Sequence, residues 1–265
     1  MDVAGYIASV FIGIALGLIG GGGSILTVPV LVYLFSIDAV LATAYSLFVV
    51  GATSAVGSFS YFTKGLVNIR TAIVFGIPSI IAVYLTRAFI VPAIPAEIFS
   101  IGNFTFTKSI LLMLLFAVLM IFTSYSMIKK EKDVTDEAPQ KQQFNYPLIL
   151  VEGTLVGILT GLVGAGGGFL IIPALVLLSK LPMKEAVGTS LVIIAAKSLI
   201  GFFGESSETA IDWLFLLKVS AFAIIGIFIG MALSKKINAA KLKPAFGWFV
   251  LVMGIYIIVK ETLLH

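Results

Sequence analysis

Residues Gly13 to Gly57 and Gly157 to Gly201 are one segment written twice, aligned without a gap at an offset of 144, with about 18 of 45 positions identical. Two unrelated apolar stretches do not share so much through composition alone. The copies agree where side-chain chemistry is scarce. Gly17-Leu18-Ile19-Gly20-Gly21-Gly22-Gly23 falls on Gly161-Leu162-Val163-Gly164-Ala165-Gly166-Gly167, Pro29 on Pro173, Ser46 on Ser190 and Ser54 on Ser198.

The solvent for this duplicated fold follows from composition. With 60% apolar residues, 11% charged residues and a mean hydropathy of +1.15, the chain lies far outside the range of water-soluble domains. Eight apolar stretches span 3–35, 39–62, 69–91, 107–128, 146–179, 183–204, 211–234 and 244–264. Most are near the roughly 20 residues that carry a helix across a hydrocarbon core, which predicts an all-α, polytopic membrane protein surrounded by lipid. Strict alternation is absent, which argues against a β-barrel. Met1-Asp2-Val3 lacks the basic start of a cleaved leader, so the first segment is expected to be retained. Zero cysteines exclude disulfides and thiolate metal sites. The formal charge of +4 is mostly loop lysine, which in a membrane protein reports orientation rather than nucleic-acid binding.

One polar stretch, from Lys129 to Gln143, separates the repeats and reads as a linker. The expected organisation is a first transmembrane half over 1–128, a cytoplasmic linker over 129–145 and a second half over 146–265. Segments 3–35 and 146–179 are too long for one ordinary span and too short for two full ones. Each is interrupted by glycines that cost a continuous helix about 1 kcal/mol apiece, and Pro29 removes a further backbone donor. The expectation is helix, break and second short helix, with each break lining a cavity because bare backbone at membrane depth is tolerated only where protein or water covers it. A duplicated half whose first segment is broken by glycine is the pattern of a secondary transporter.

Lysine placement predicts how the halves sit. Lys64 and Arg70 flank one loop and Lys129, Lys130 and Lys132 follow the fourth segment, which puts both loops in the cytoplasm; the loop carrying Arg87, Glu97 and Lys108 is then outside. In the second half, Glu205, Glu208 and Asp212 follow segment six, whereas Lys235, Lys236, Lys241 and Lys243 follow segment seven. Segment five must therefore return to its starting side, as Lys180 and Lys184 at its far end agree. By the repeat, segment one starts and finishes outside, and both termini are expected outside. The halves are predicted to be inverted copies about an axis in the membrane plane.

The paired motifs, Gly17 to Ser24 with Pro29-Val30-Leu31 and Gly161 to Gly168 with Pro173-Ala174-Leu175, resemble the duplicated signature of the TauE/SafE sulfite exporter family. Ala42 to Leu47 and Ala186 to Leu191 resemble its following motif, and the likeness covers essentially the whole chain. The resemblance implies export of sulfite, organosulfonates such as sulfoacetate or taurine-related compounds, or similar small anions across a bacterial cytoplasmic membrane.

Residue chemistry points the same way. A broken helix presents N–H groups and positive potential at the start of its second half, and glycines let an oxyanion approach that backbone. Gly20, Gly21, Gly22, Gly23, Ser24 and Thr27 form the candidate cradle in the first copy, with Gly164, Gly166, Gly167 and Gly168 in the second. Ionisable groups at depth are costly, which singles out Lys197; by helical spacing it shares a face with Ser190, Ile194 and Gly201, as Thr53 does with Ser46 and Gly57 in the first copy. Ser46, Ser190 and Lys197 are expected to face an anion between the two breaks. Glu152 is a candidate proton carrier, Lys218 is expected to snorkel, and Gly226 and Gly230 read as a helix-packing pair.

No metal-binding constellation or cofactor motif occurs: the run lacks the Gly-Lys-Ser/Thr ending of a P-loop. Asp38 and Asp212 fall at loop edges and the lone His265 is terminal, which leaves no protease dyad or Ser–His pair. An enzyme is therefore not expected. A passive anion channel, a permease for another small organic acid and a homodimer stay open.

Overall fold

The structure, a computed structural model, describes residues 2–101, 104–128, 146–177, 181–204, 211–234 and 239–263. The expected linker 129–145, Lys180, Glu205, Glu208, Lys235 and Lys236 lie outside the described residues.

Helix α1 (Asp2–Ile19) ends where the glycine run begins, and Gly20–Leu26 forms a tight 3-10 turn that leads into α2 (Thr27–Tyr33). The chain folds back on itself there. Gly23 packs on Ala15 and Leu16, Gly5 packs on the Phe35 ring, and the rings of Tyr6 and Phe35 lie 5.3 Å apart. Although Val3–Tyr33 is long and apolar enough to count as one crossing, it is a hairpin whose two ends share a side. Helices α3 (Ala39–Phe62) and α4 (Ile69–Leu85) follow. Both start on side-chain caps: Asp38 accepts from the Val40 and Leu41 amides, and Asn68 accepts from the Thr71 amide. On α4, Ile69, Ile73, Ile77 and Ile81 recur every fourth residue and are all more than half exposed, which makes a lipid-facing stripe.

A π-helical turn, Thr86–Ile90, carries α4 on into α5 (Val91–Ala93). Arg87 sits in this turn and is fully buried, so its expected place in an outer loop is corrected. Beyond it, β1 (Glu97–Ile101) and β2 (Phe104–Thr107) pair antiparallel, with Phe99 and Phe106 stacked at 4.9 Å. The hairpin replaces the loop expected here, since strands this short leave too little alternation to register in sequence. Helices α6 (Lys108–Ile128), α7 (Tyr146–Val163), α8 (Gly168–Leu177), α9 (Met183–Phe203), α10 (Trp213–Leu233) and α11 (Ala239–Leu263) complete the bundle. Among the described residues, seven helical stretches are long and apolar enough to cross a membrane, with Pro147–Val163 a shorter apolar helix.

The packing partners exchange under the repeat. Gly13 and Gly17 of α1 lie on Ala223, Ile227 and Gly230 of α10, in parallel. Gly157 and Gly161 of α7 lie on Ser79, Val83 and Thr86 of α4, also in parallel and at the same offset of 144. The repeat therefore holds in space beyond the stretch where it is visible in sequence. At the centre, α3 and α9 run antiparallel: Leu47 meets Gly201, Gly51 meets Leu199, Gly57 meets Leu191 and Tyr61 meets Gly188. Helices α6 and α11 also pair antiparallel, with Gly247 against Met127 and Ile128, and Gly254 against Ala117 and Ile121.

Gly226 and Gly230 fill the packing role expected of them, since Gly226 abuts the Val10 carbonyl and Gly13. A Gly226→Val substitution has nowhere to put its side chain and is expected to cost about 2 to 3 kcal/mol by overpacking. Thermal unfolding in detergent checks this. An unchanged midpoint would mean that α1 and α10 do not pack as described.

The helix ends sort onto two faces. On one, Ser109 donates to Asp38 at 2.8 Å, the Asp212 amide donates to the Tyr45 hydroxyl at 2.8 Å, and Tyr33 donates to Glu261 at 2.9 Å. The starts of α1, α3, α6 and α10 and the ends of α2 and α11 thus share that face. On the other, the Asn68 amide donates to Thr189 at 2.9 Å and Gly188 packs on Leu66, which joins the loop after α3 to the start of α9.

Candidate functional site

Both glycine breaks converge on the antiparallel α3–α9 pair, each against the helix of the opposite copy. Gly20 packs on Val187 of α9 and Gly164 on Thr43 of α3; Val187 is the repeat equivalent of Thr43. Gly20 and Gly164 hold φ values of 72° and 71°, a left-handed conformation that a side chain disfavours. Gly21 touches Gly168 directly, backbone to backbone. The breaks therefore do meet, but they do so closed. The run Gly20 to Ile25 is buried in protein, which corrects the expectation that each break lines a cavity. Among the described residues, cavities of about 370 and 290 Å³ open on apolar grooves, one beside Tyr125 and Trp248 and one beside Ile73 and Ile193.

The copies differ in chemistry. Lys197 of α9 is fully buried, and its Nζ donates to Thr160 Oγ1 of α7 at 3.1 Å. Thr160 in turn donates to the Gly157 carbonyl at 3.2 Å. A Cβ built at Gly167 would lie 2.6 Å from Lys197 Nζ, so the amine sits directly on the backbone that starts α8. Ser198 Oγ, buried and without a hydrogen-bond partner, lies against Gly166. Gly166 and Gly167 are also left-handed, at φ 64° and 69°, and turn the chain into the ten-residue helix α8. Among the described residues no carboxylate pairs with Lys197. A buried amine and the positive end of a helix converge on one spot, an arrangement that suits an anion. An ammonium carries three donors, and Thr160 takes one.

The first copy has Thr53 at the place of Lys197 and Leu16 at the place of Thr160. Thr53, Ser54, Ser46 and Thr27 are buried hydroxyls without hydrogen-bond partners. Ser24 is spent locally, donating to the Gly21 carbonyl at 2.7 Å, and Ser190 donates to the Val187 carbonyl of its own helix at 2.8 Å. Gly22 packs on Ile19, and Gly23 lies against α1. Of the predicted residues, then, Lys197, Gly166 and Gly167 come together, and Gly21 and Gly168 seal the breaks. Glu152 is half-buried on α7, eight residues or about 12 Å of helix from Thr160, and does not reach this group. Lys218 is exposed, as expected of a snorkelling lysine.

Sequence reading missed Thr160 and Arg87. Thr160 was legible as a hydroxyl in the repeat position of Leu16, and Arg87 as a cation inside the apolar stretch 69–91.

The profile of the family described as Sulfite exporter TauE/SafE matches residues 6–257. A probable membrane transporter protein of Xylella fastidiosa is 30% identical over 255 residues, covering 93% of this chain and 91% of the relative. Probable membrane transporter proteins YunE and YdhB of Bacillus subtilis are 26% and 25% identical, covering 91% and 88% of this chain and 91% of each relative. No solved structure matches the chain.

Proposed function

This chain belongs to the TauE/SafE sulfite exporter family and is a multi-pass membrane transporter, and from that premise we propose that it is a secondary carrier, not an enzyme, exporting a small sulfur-containing anion, sulfite or a sulfonate, across a bacterial cytoplasmic membrane. The observation that carries the reading is Lys197. A fully buried amine against the start of α8, hydrogen-bonded to Thr160 and without a carboxylate partner among the described residues, is costly to keep unless an anion visits it. Two free ammonium donors, the Ser198 hydroxyl and the α8 start match the several acceptor oxygens of a sulfite or sulfonate group.

The antiparallel pairing of α3 with α9, which are repeat equivalents, supports an inverted pair of halves. Lys64, Arg70 and Lys184 gather at the end where α3 finishes and α9 begins, which supports a cytoplasmic assignment for that face. The termini and Ser36 then lie outside. Alternating access would part Gly21 from Gly168 first on one side and then on the other, which gives the closed breaks their role as gates.

Calorimetric titration of the purified chain with sulfite, sulfoacetate and taurine tests the substrate class, with saturable binding of at least one expected. A panel without any binding would move the proposal to other organic acids. Orientation is tested on the cysteine-free chain. Ser36→Cys and Met183→Cys are expected to label with an impermeant maleimide from opposite faces of the membrane; labelling from one face would refute the inverted arrangement.

A further inference from the structure

We propose that Arg87 and Thr86 form a second oxyanion station, on the outward side of Lys197, through which the anion passes on leaving. The proposal rests on the reading of Lys197 as the primary site. Arg87 is among the largest fully buried side chains in the molecule, and it stands on a π-helical turn in an otherwise regular helix. Such single-turn bulges re-aim side chains and gather at functional sites. Its Cβ lies beside Gly204, seven residues and about 10 Å of helix beyond Lys197, in the direction of the face that carries Ser36.

Polar groups connect the two cations. Thr86 packs on Gly161 of α7, the residue next to Thr160, whose hydroxyl accepts from Lys197. Thr86 Oγ1 is buried without a hydrogen-bond partner, as is Ser79 Oγ seven residues, or two turns, earlier on α4. Ser79, Thr86, Arg87, Thr160 and Lys197 thus line one seam between α4, α7 and α9.

The seam has a control within the molecule. The symmetry-related seam between α10, α1 and α3 is built on the same backbone contacts at the same offset, yet it carries Ala223, Gly230, Met231, Leu16 and Thr53 at those five places. Packing of the shared fold therefore does not require the polar set. A guanidinium suits the planar spread of two oxyanion oxygens, and a hydroxyl beside it supplies a third contact. Two stations of like charge set about two helical turns apart along α9 would let an arriving anion weaken the hold of the first, as leaving a deep site demands.

The test compares equilibrium binding of labelled sulfite in detergent with its efflux from preloaded proteoliposomes. For Arg87→Gln, affinity is expected to stay within about three-fold of wild type while efflux falls about tenfold or more, with Arg87→Lys restoring part of it. Efflux at the wild-type rate overturns the proposal. So does a loss that Arg87→Lys fails to lessen and that tracks a lowered melting temperature, because the role is then structural. If Arg87→Gln does not fold, Thr86→Val, which keeps the volume, takes its place; slower efflux with retained binding is expected, and unchanged efflux overturns the station. Lys197→Met is measured alongside: retained sulfite binding in that variant sinks the primary site, a result separate from either Arg87 outcome.

Discussion

Replacing Lys197 with methionine is expected to weaken anion binding by about 30-fold or more while leaving the protein at least as stable as wild type. The two halves of that statement come from the same burial. Removing one partner of a desolvated charge pair costs about 2 to 5 kcal/mol, and here the partner lost to the anion is its only described cation in direct contact with the α8 start. Stability moves the other way, because a fully buried amine without a carboxylate partner among the described residues is a liability that a methionine of similar length relieves. Thr160 is not orphaned by the change, since its hydroxyl still donates to the Gly157 carbonyl. A purely structural lysine would show the reverse pattern, with lowered stability and unchanged affinity. Titration calorimetry and thermal unfolding of the same preparation separate the two.

The second large effect concerns the breaks. A Gly168→Ala substitution would drive its methyl into the Gly21 backbone, and Gly164→Ala would meet the Thr43 backbone while holding a φ of 71°. Backbone cannot step aside as a flexible side chain can. Each variant is expected to lose about 2 to 4 kcal/mol, from overpacking and, at Gly164, the left-handed penalty as well. Transport should fall with stability, since the proposed gate is this same contact. Gly22→Ala is the matched control: its methyl would meet side chains alone, Ile19 at 3.0 Å and Met127 at 4.0 Å, with no left-handed φ to hold. Melting curves in detergent decide this. A Gly168→Ala protein as stable as Gly22→Ala would show that the breaks do not touch.

Much of this architecture is legible in the sequence because glycine and proline act locally. The duplicated run predicts the two breaks, and the eight apolar stretches predict the helices within a few residues. Lys197 could be singled out since a charge deep in an apolar stretch has few innocent explanations. What escaped is what depends on neighbours. The closure of Gly21 on Gly168 is a property of two segments that lie far apart in the chain. Arg87 lies inside the apolar stretch 69–91 yet was grouped by its charge with the outer loop, whereas the π-turn and α5 carry the helix past it and bury the guanidinium. Ser24 and Ser190 were read as donors to a ligand, but hydroxyls inside helical turns satisfy themselves on the carbonyl three residues back. Their unpartnered counterparts Thr53, Ser54 and Ser198 could only be told apart once the helices were packed.

The most direct test of the central claim is uptake of labelled sulfite and sulfoacetate into proteoliposomes, with and without an imposed proton gradient. A coupled anion carrier is expected to accumulate at least one of them above its electrochemical equilibrium when the gradient is present, and to lose that accumulation in Lys197→Met. Passive equilibration in both conditions would contradict coupling and make the protein a channel or uniporter; no movement beyond protein-free liposomes would contradict the anion carrier itself.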